Sequence, residues 1–123
     1  VSGNNFLLDT NIILYLLNGD ETLADFLYQR NLYVSFITEM ELLSYRKITE
    51  KEHASIQNFL QECIVVEMNN TIKETAIAIR KNSKIKLPDS IVAATAIYLK
   101  IPLISADNIF EKLPSFQFVK YNF

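Results

Sequence analysis

Apolar residues follow two rhythms along this chain. Short runs dominated by them (Phe6-Leu7-Leu8, Leu32-Tyr33-Val34-Ser35, Ile64-Val65-Val66, Ile101-Pro102-Leu103-Ile104 and Phe116 to Val119) alternate with longer stretches where they recur every three or four positions. The short runs read as strands covered on both faces, the habit of parallel sheets. The longer stretches read as helices: Ile12 to Leu17, a short one over Leu23 to Arg30, Thr38 to Tyr45, Glu50 to Glu62, one after Asn69-Asn70, and Ser90 to Leu99. Asn18-Gly19-Asp20 should end the first helix, glycine being the usual terminator. Lys86-Leu87-Pro88-Asp89 should break the chain between the last two. In the helix after Asn70, Ile72, Ala76, Ile77 and Ile79 lie on one side, whereas the Ala-rich Ser90 to Leu99 is apolar almost all round and should be buried on most sides.

Alternating strands and helices predict an α/β fold, a three-layer α/β/α sandwich around a central, mainly parallel five-stranded sheet. No repeat or linker interrupts the pattern, so residues 1–123 read as one domain. The opening Val1-Ser2-Gly3 is set aside from fold reasoning. Leu16, Leu17, Phe26 and Leu27 have two readings, a core stripe or a dimer face, of which core packing is the commoner.

Composition narrows the chemistry. Half the residues are hydrophobic and 21% are charged, ordinary values for a globular protein. Two glycines cannot build a Gly-rich phosphate loop. The lone Cys63 excludes a disulfide framework and a cysteine metal site, and reads as a small core hydrophobe. His53 has no evident partner for nucleophilic catalysis and reads as a solvated helix residue. No stretch approaches the roughly 20 apolar residues of a spanning helix, and no charged leader is visible, so the expectation is a cytoplasmic protein without a membrane role. Net charge is −2, from 14 acids and 12 bases. That balance does not mark a nucleic-acid binder, and any such role must rest on local chemistry.

The local chemistry is acidic. Asp9 ends the first strand, Glu41 lies early in the helix after the second, Asp89 opens the Ala-rich helix, and Asp107 follows the fourth strand. Parallel strands point their carboxyl ends to one edge of the sheet, where such folds bind ligands. The four acids should therefore converge there, and their mutual repulsion needs protons or cations to offset it. An all-oxygen site suits Mg²⁺ or Mn²⁺ rather than zinc. Taken singly, each acid also has a local reading. Asp9 can be a cap or a turn residue, although the pattern reads Asn11, or Thr10 before it, as the cap of the first helix. Glu41 stands three residues after Thr38, the spacing of a capping box. Asp89 suits a helix start, and Asp107-Asn108 suits a turn or the cap of Ile109 to Leu113. Arg80, Lys81, Lys84 and Lys86 are either a solvated helix end or a phosphate track into the acidic site, and Tyr45-Arg46-Lys47 can add to that track.

Four stretches together resemble the PIN domain family: Leu7 to Asn11, Ile37 to Leu42, Leu87 to Ala96 and Leu103 to Asp107. The VapC-type toxins of bacterial toxin–antitoxin pairs are the branch most similar. The resemblance implies a divalent-metal-dependent ribonuclease, frequent homodimerisation, and inhibition by a small antitoxin whose tail occupies the acidic groove. It makes Asp9, Glu41, Asp89 and Asp107 the acidic quartet, Glu41 being chosen over Glu39 for its place before Leu42. Thr10, Asn11 and Ser105 take supporting positions for metal, water or phosphate. One departure stands out: many members carry a further acid where this chain has Ile109, before Phe110, which puts a second tightly held metal in doubt.

On this reading Asp9 and Asp89 bind metal directly, Glu41 binds metal or positions water, and Asp107 completes the site. The reaction expected is hydrolysis of RNA phosphodiesters to 5′-phosphate ends. Three alternatives accompany it: a PIN nuclease of RNA processing or quality control, a non-catalytic RNA- or protein-binding relic, and a receiver-type phosphoacceptor. The last lacks a second acid beside Asp9 and a lysine ending a late strand.

Overall fold

The computed structural model describes residues 4–114 and 116–122; Val1-Ser2-Gly3 lie outside the described residues. Five strands, β1 (Asn5–Leu8), β2 (Asn31–Ser35), β3 (Ile64–Val66), β4 (Leu103–Ser105) and β5 (Phe118–Lys120), form one sheet in the order β3-β2-β1-β4-β5. All four ladders are parallel. Six helices connect them: α1 (Thr10–Leu17), α2 (Glu21–Leu27), α3 (Phe36–Leu43), α4 (Glu50–Gln61), α5 (Asn70–Asn82) and α6 (Leu87–Leu99), with a 3₁₀ turn at Asn108–Lys112. β5 does end in a lysine, Lys120, so that ground against a receiver-type domain falls; receiver-type domains, however, order their strands 2-1-3-4-5, so the phosphoacceptor alternative does not fit this topology.

Alternation along β1 builds the three layers. Phe6 and Leu8 face one side, where they join Ile12, Ile13, Leu23, Leu27, Leu42, Ile56 and Leu60. Leu7 faces the other side, against Val92, Ala93, Ala96, Leu103 and Phe110. Period-two side chains of a central strand thus bury both faces. α6 is the deepest helix, with Ser90 to Ala96 all buried, and α5 covers it through Ile72 and Ala76 against Ile91 and Ala94. Ile77 is an exception to the expected stripe, being half exposed. Leu27 is buried, Leu16 and Leu17 pack against the same core, and exposed Phe26 lies under the Arg30 guanidinium. Core packing is thus the dominant use of that pattern.

Several boundaries move, each for a local reason. α1 starts at Thr10 because Asp9, and not the expected Asn11 or Thr10, is the cap, its carboxylate accepting from the Thr10 N–H. α3 starts a residue after Ser35, whose hydroxyl accepts from the Ile37 N–H, and it ends at Leu43 rather than Tyr45. The capping box that the Thr38–Glu41 spacing allows is not formed; one forms instead between Thr49 and Glu52 at the head of α4. α6 takes Leu87, Pro88 and Asp89 into its first turn, where a missing proline N–H does no harm. Asn18 caps α1 as expected, and Gly19 follows at φ +94°, a conformation open to glycine. β4 and β5 both lie slightly later than their apolar runs suggest, and the short second helix stops at Leu27.

Candidate active site

The carboxyl ends of β1, β2 and β4 open into one cleft. Asp9, Thr10, Asn11, Glu41, Asp89 and Asp107 line it, together with Leu14, Ser44 and Tyr45. All four acids expected from the sequence are therefore brought to one place. Glu41 lines the cleft and Glu39 does not.

Asp9 is the anchor. It is the only acidic or basic side chain among the buried described residues, and its backbone N–H continues the β1–β4 pairing by donating to the Ile104 carbonyl at 3.0 Å. One carboxylate oxygen caps α1. The other accepts from the Ser105 hydroxyl at 2.7 Å and from the Asn11 side-chain amide at 3.5 Å. Burial pushes the Asp9 carboxyl above its ordinary range; the Ser105 and Thr10 bonds oppose that rise, and the Glu41 and Asp107 charges add to it.

Ser105 and Asn11 also hold the loop that carries Asp107. The Asp107 N–H donates to Ser105 Oγ at 3.0 Å, and the Ala106 N–H donates to Asn11 Oδ1 at 3.1 Å. The Asn11 amide reaches Ser105 Oγ at 3.3 Å and ties the two together. Asp107 is exposed, and one of its oxygens accepts from the Ile109 N–H, so it caps the 3₁₀ turn while lining the cleft. The cap and site readings thus coexist in this residue, as they do in Asp9.

Glu41 is oriented from across the cleft by the Thr10 hydroxyl, which donates to its carboxylate at 2.9 Å. Asp89, in the first turn of α6, is pushed up to about 6 by burial and by the charges of Asp9, Asp107 and Glu41, against a smaller opposing effect of Lys86. Sequence reasoning missed Leu14 and gave Tyr45 only a place in a basic stretch. Leu14 lies one helical turn after Thr10, and that spacing was its available signal; Tyr45 follows the cap of α3 and had no such signal. Burial and the Glu41 charge raise the Tyr45 phenol pKa.

The basic stretch is placed differently. Arg80, Lys81, Lys84 and Lys86 are exposed and none lines the cleft. Arg80 and Lys81 occupy the last turn of α5, where cations suit the helix dipole. Lys86 acts on the site through its charge on Asp89. Ile109, at the position where a fifth acid is absent, packs against the second core. Cys63 is half-buried beside the first core, and burial with the Glu62 charge pushes its thiol up to about 12, so it behaves as an inert core residue.

An all-oxygen set with two carboxyls driven towards protonation fits a hard divalent cation, whose charge would relieve that strain. Among the described residues no three His, Cys, Asp or Glu side chains stand closed in ligating geometry.

A parallel α/β/α domain with four acids at its carboxyl edge is the class that fold and cleft define. The PIN domain family model matches residues 6–115, and the chain belongs to that family. Among solved structures, a toxin–antitoxin complex from Klebsiella pneumoniae is similar at 28% identity and a TM-score of 0.78, over 93% of this chain and 95% of that one. VapBC-1 from nontypeable Haemophilus influenzae is similar at 25% identity and a TM-score of 0.76, over 94% and 97%. VapBC2 from Rickettsia felis, bound to a promoter DNA fragment, shares the fold at 20% identity and a TM-score of 0.78, over 96% and 99%. No curated protein sequence matches the chain. Among the described residues no helix is long and apolar enough to cross a membrane.

Proposed function

We propose that this protein is a divalent-metal-dependent endoribonuclease of the VapC type, the toxin of a toxin–antitoxin pair. The observation that carries the reading is the convergence of Asp9, Glu41, Asp89 and Asp107 on one cleft in a PIN-domain chain. Asp9 and Asp89 would hold Mg²⁺ or Mn²⁺, with Glu41 and Asp107 completing the oxygen set. Such an ion supplies Lewis acidity and a water of lowered pKa, the two needs of phosphodiester hydrolysis.

The chain's own residues do the positioning. Ser105 holds Asp9 in one rotamer and Thr10 holds Glu41, so two acids stay fixed without an ion. Asn11 and Ser105 fix the Asp107 loop by its backbone. Carboxylates that are hydrogen-bonded in place need little rearrangement when substrate arrives. The same acids would attract the basic tail of a small antitoxin, and the similarity to toxin–antitoxin complexes supports such a partner. A homodimer and a cytoplasmic location complete the proposal.

The test is cleavage of a mixed RNA pool by purified protein with Mg²⁺ or Mn²⁺, beside EDTA and Asp9→Asn controls. Metal-dependent cutting that falls at least about 100-fold in the mutant is expected. Cutting that survives Asp9→Asn would overturn the assignment. Neither cutting nor metal binding would point to a non-catalytic relic of the fold.

A further inference from the structure

A second, larger groove of about 730 Å³ adjoins the acidic cleft and shares Leu14 and Tyr45 with it. It lies between α1 and the α3–α4 connection. Leu17, Ile48 and Ile56 form its apolar floor. Arg46, Lys47 and Lys51 line it, are exposed, and are tied by no hydrogen bond or ion pair among the described residues. Glu52 is the one acid in its lining, and its carboxylate is engaged by the Thr49 N–H as half of a capping box.

We infer that this groove is the track for the single-stranded RNA flanking the scissile phosphate, an inference that rests on the nuclease reading. Three cations beside an apolar floor match a strand whose phosphates are charged and whose bases are flat and apolar. Tyr45 stands where the two depressions meet, placed to stack a base next to the acids. The three cations would repel a basic amphipathic peptide; RNA is favoured over an acidic one because the groove runs into the acidic cleft through Leu14 and Tyr45, so a strand lying in it leads its phosphates to the proposed metal site. The track thus runs past α3 and α4, away from Arg80, Lys81 and Lys84.

The full chain carrying Asp9→Asn, expected to leave RNA uncut, is titrated with a labelled single-stranded RNA of about 12 nucleotides at several salt concentrations. Adding Arg46→Ala, Lys47→Ala and Lys51→Ala together should weaken binding at least about tenfold and lower the salt slope by about 2. Unchanged affinity and slope overturn the track, as does finding the loss in an Arg80→Ala, Lys81→Ala, Lys84→Ala variant instead. A parent that binds no RNA sinks the nuclease reading and the track with it. Lysine acetylation of the parent gives an independent readout: bound RNA should shield Lys47 and Lys51 and leave Lys81 and Lys84 reactive. Shielding by an acidic amphipathic peptide but not by RNA would make the groove a protein-docking site and overturn the inference.

Discussion

Ser105 shows how one hydroxyl serves two acids. It donates to Asp9 and accepts from the Asp107 N–H, so Ser105→Ala would leave a buried carboxylate oxygen with only the 3.5 Å Asn11 contact and free the Asp107 loop. Outer residues that orient metal ligands are worth about 10–100-fold in metal affinity or activity. The Mn²⁺ concentration for half-maximal cleavage should rise by that factor in Ser105→Ala and recover in Ser105→Thr, which keeps the hydroxyl. No change in the alanine variant would show that Asp9 is held by the backbone alone. Legibility at this scale was uneven for a physical reason. The acids were legible because strand ends fix where residues such as Asp9 and Asp107 emerge. The hydrogen bonds among Asn11, Ser105 and Ala106 were not, since they join residues brought together only by pairing of β1 with β4.

At the scale of elements, α3 separates two readings that the sequence leaves open. Thr38-x-x-Glu41 has the capping-box spacing, yet Ser35 starts the helix and Thr38 is fully buried, its hydroxyl without a partner among the described residues. Ser and Thr compete equally for the cap, and the end of β2 decides: Ser35 is its last paired residue, opposite Val66, so the chain turns there. Replacing Thr38 by the isosteric Val removes an unsatisfied buried hydroxyl and should be neutral or stabilising by about 1 kcal/mol. Ser35→Ala removes the true cap and should cost about 1 kcal/mol. Urea denaturation of the pair checks this, and the reverse order would restore Thr38 as the cap. Glu41, relieved of a capping duty, is free to take the Thr10 hydroxyl across the cleft. α6 teaches the same point from the other end. Pro88 reads as a breaker in sequence, yet in the first turn it starts the helix and delivers Asp89 to the cleft.

At the scale of the whole molecule, the acidic edge sets a balance between fold and site. Most of the architecture was legible, because unbroken apolar runs and an almost wholly apolar Ser90 to Leu99 admit few arrangements besides a covered parallel sheet. What that sheet costs in charge was not legible, since it depends on how far Asp89 is shielded from water. Its carboxyl is raised from 3.8 to about 6. With the folded value above the unfolded one, the associated stability is fully present below about pH 4 and is lost as pH rises through about 6. That rise would correspond to about 3 kcal/mol in a dry interior. Asp89 is only half-buried, and solvent screening reduces the effect to about 1 kcal/mol. Asp89→Asn should therefore exceed the parent by about 1 kcal/mol, or about 4 °C in Tm, at neutral pH, and the two should converge at about pH 4. Comparing the two proteins cancels Asp20 and Glu52, whose lowered pKa values make stability fall towards acid. Mn²⁺ should raise the Tm of the parent at neutral pH by mass action, do so less in the mutant, and lose its effect near pH 4 as the acids take up protons. A mutant no more stable than the parent at neutral pH would mean that Asp89 pays no ionisation cost in the fold. The acids would then be stabilised by the protein itself, and the case for an ion as their missing counter-charge would fall with it.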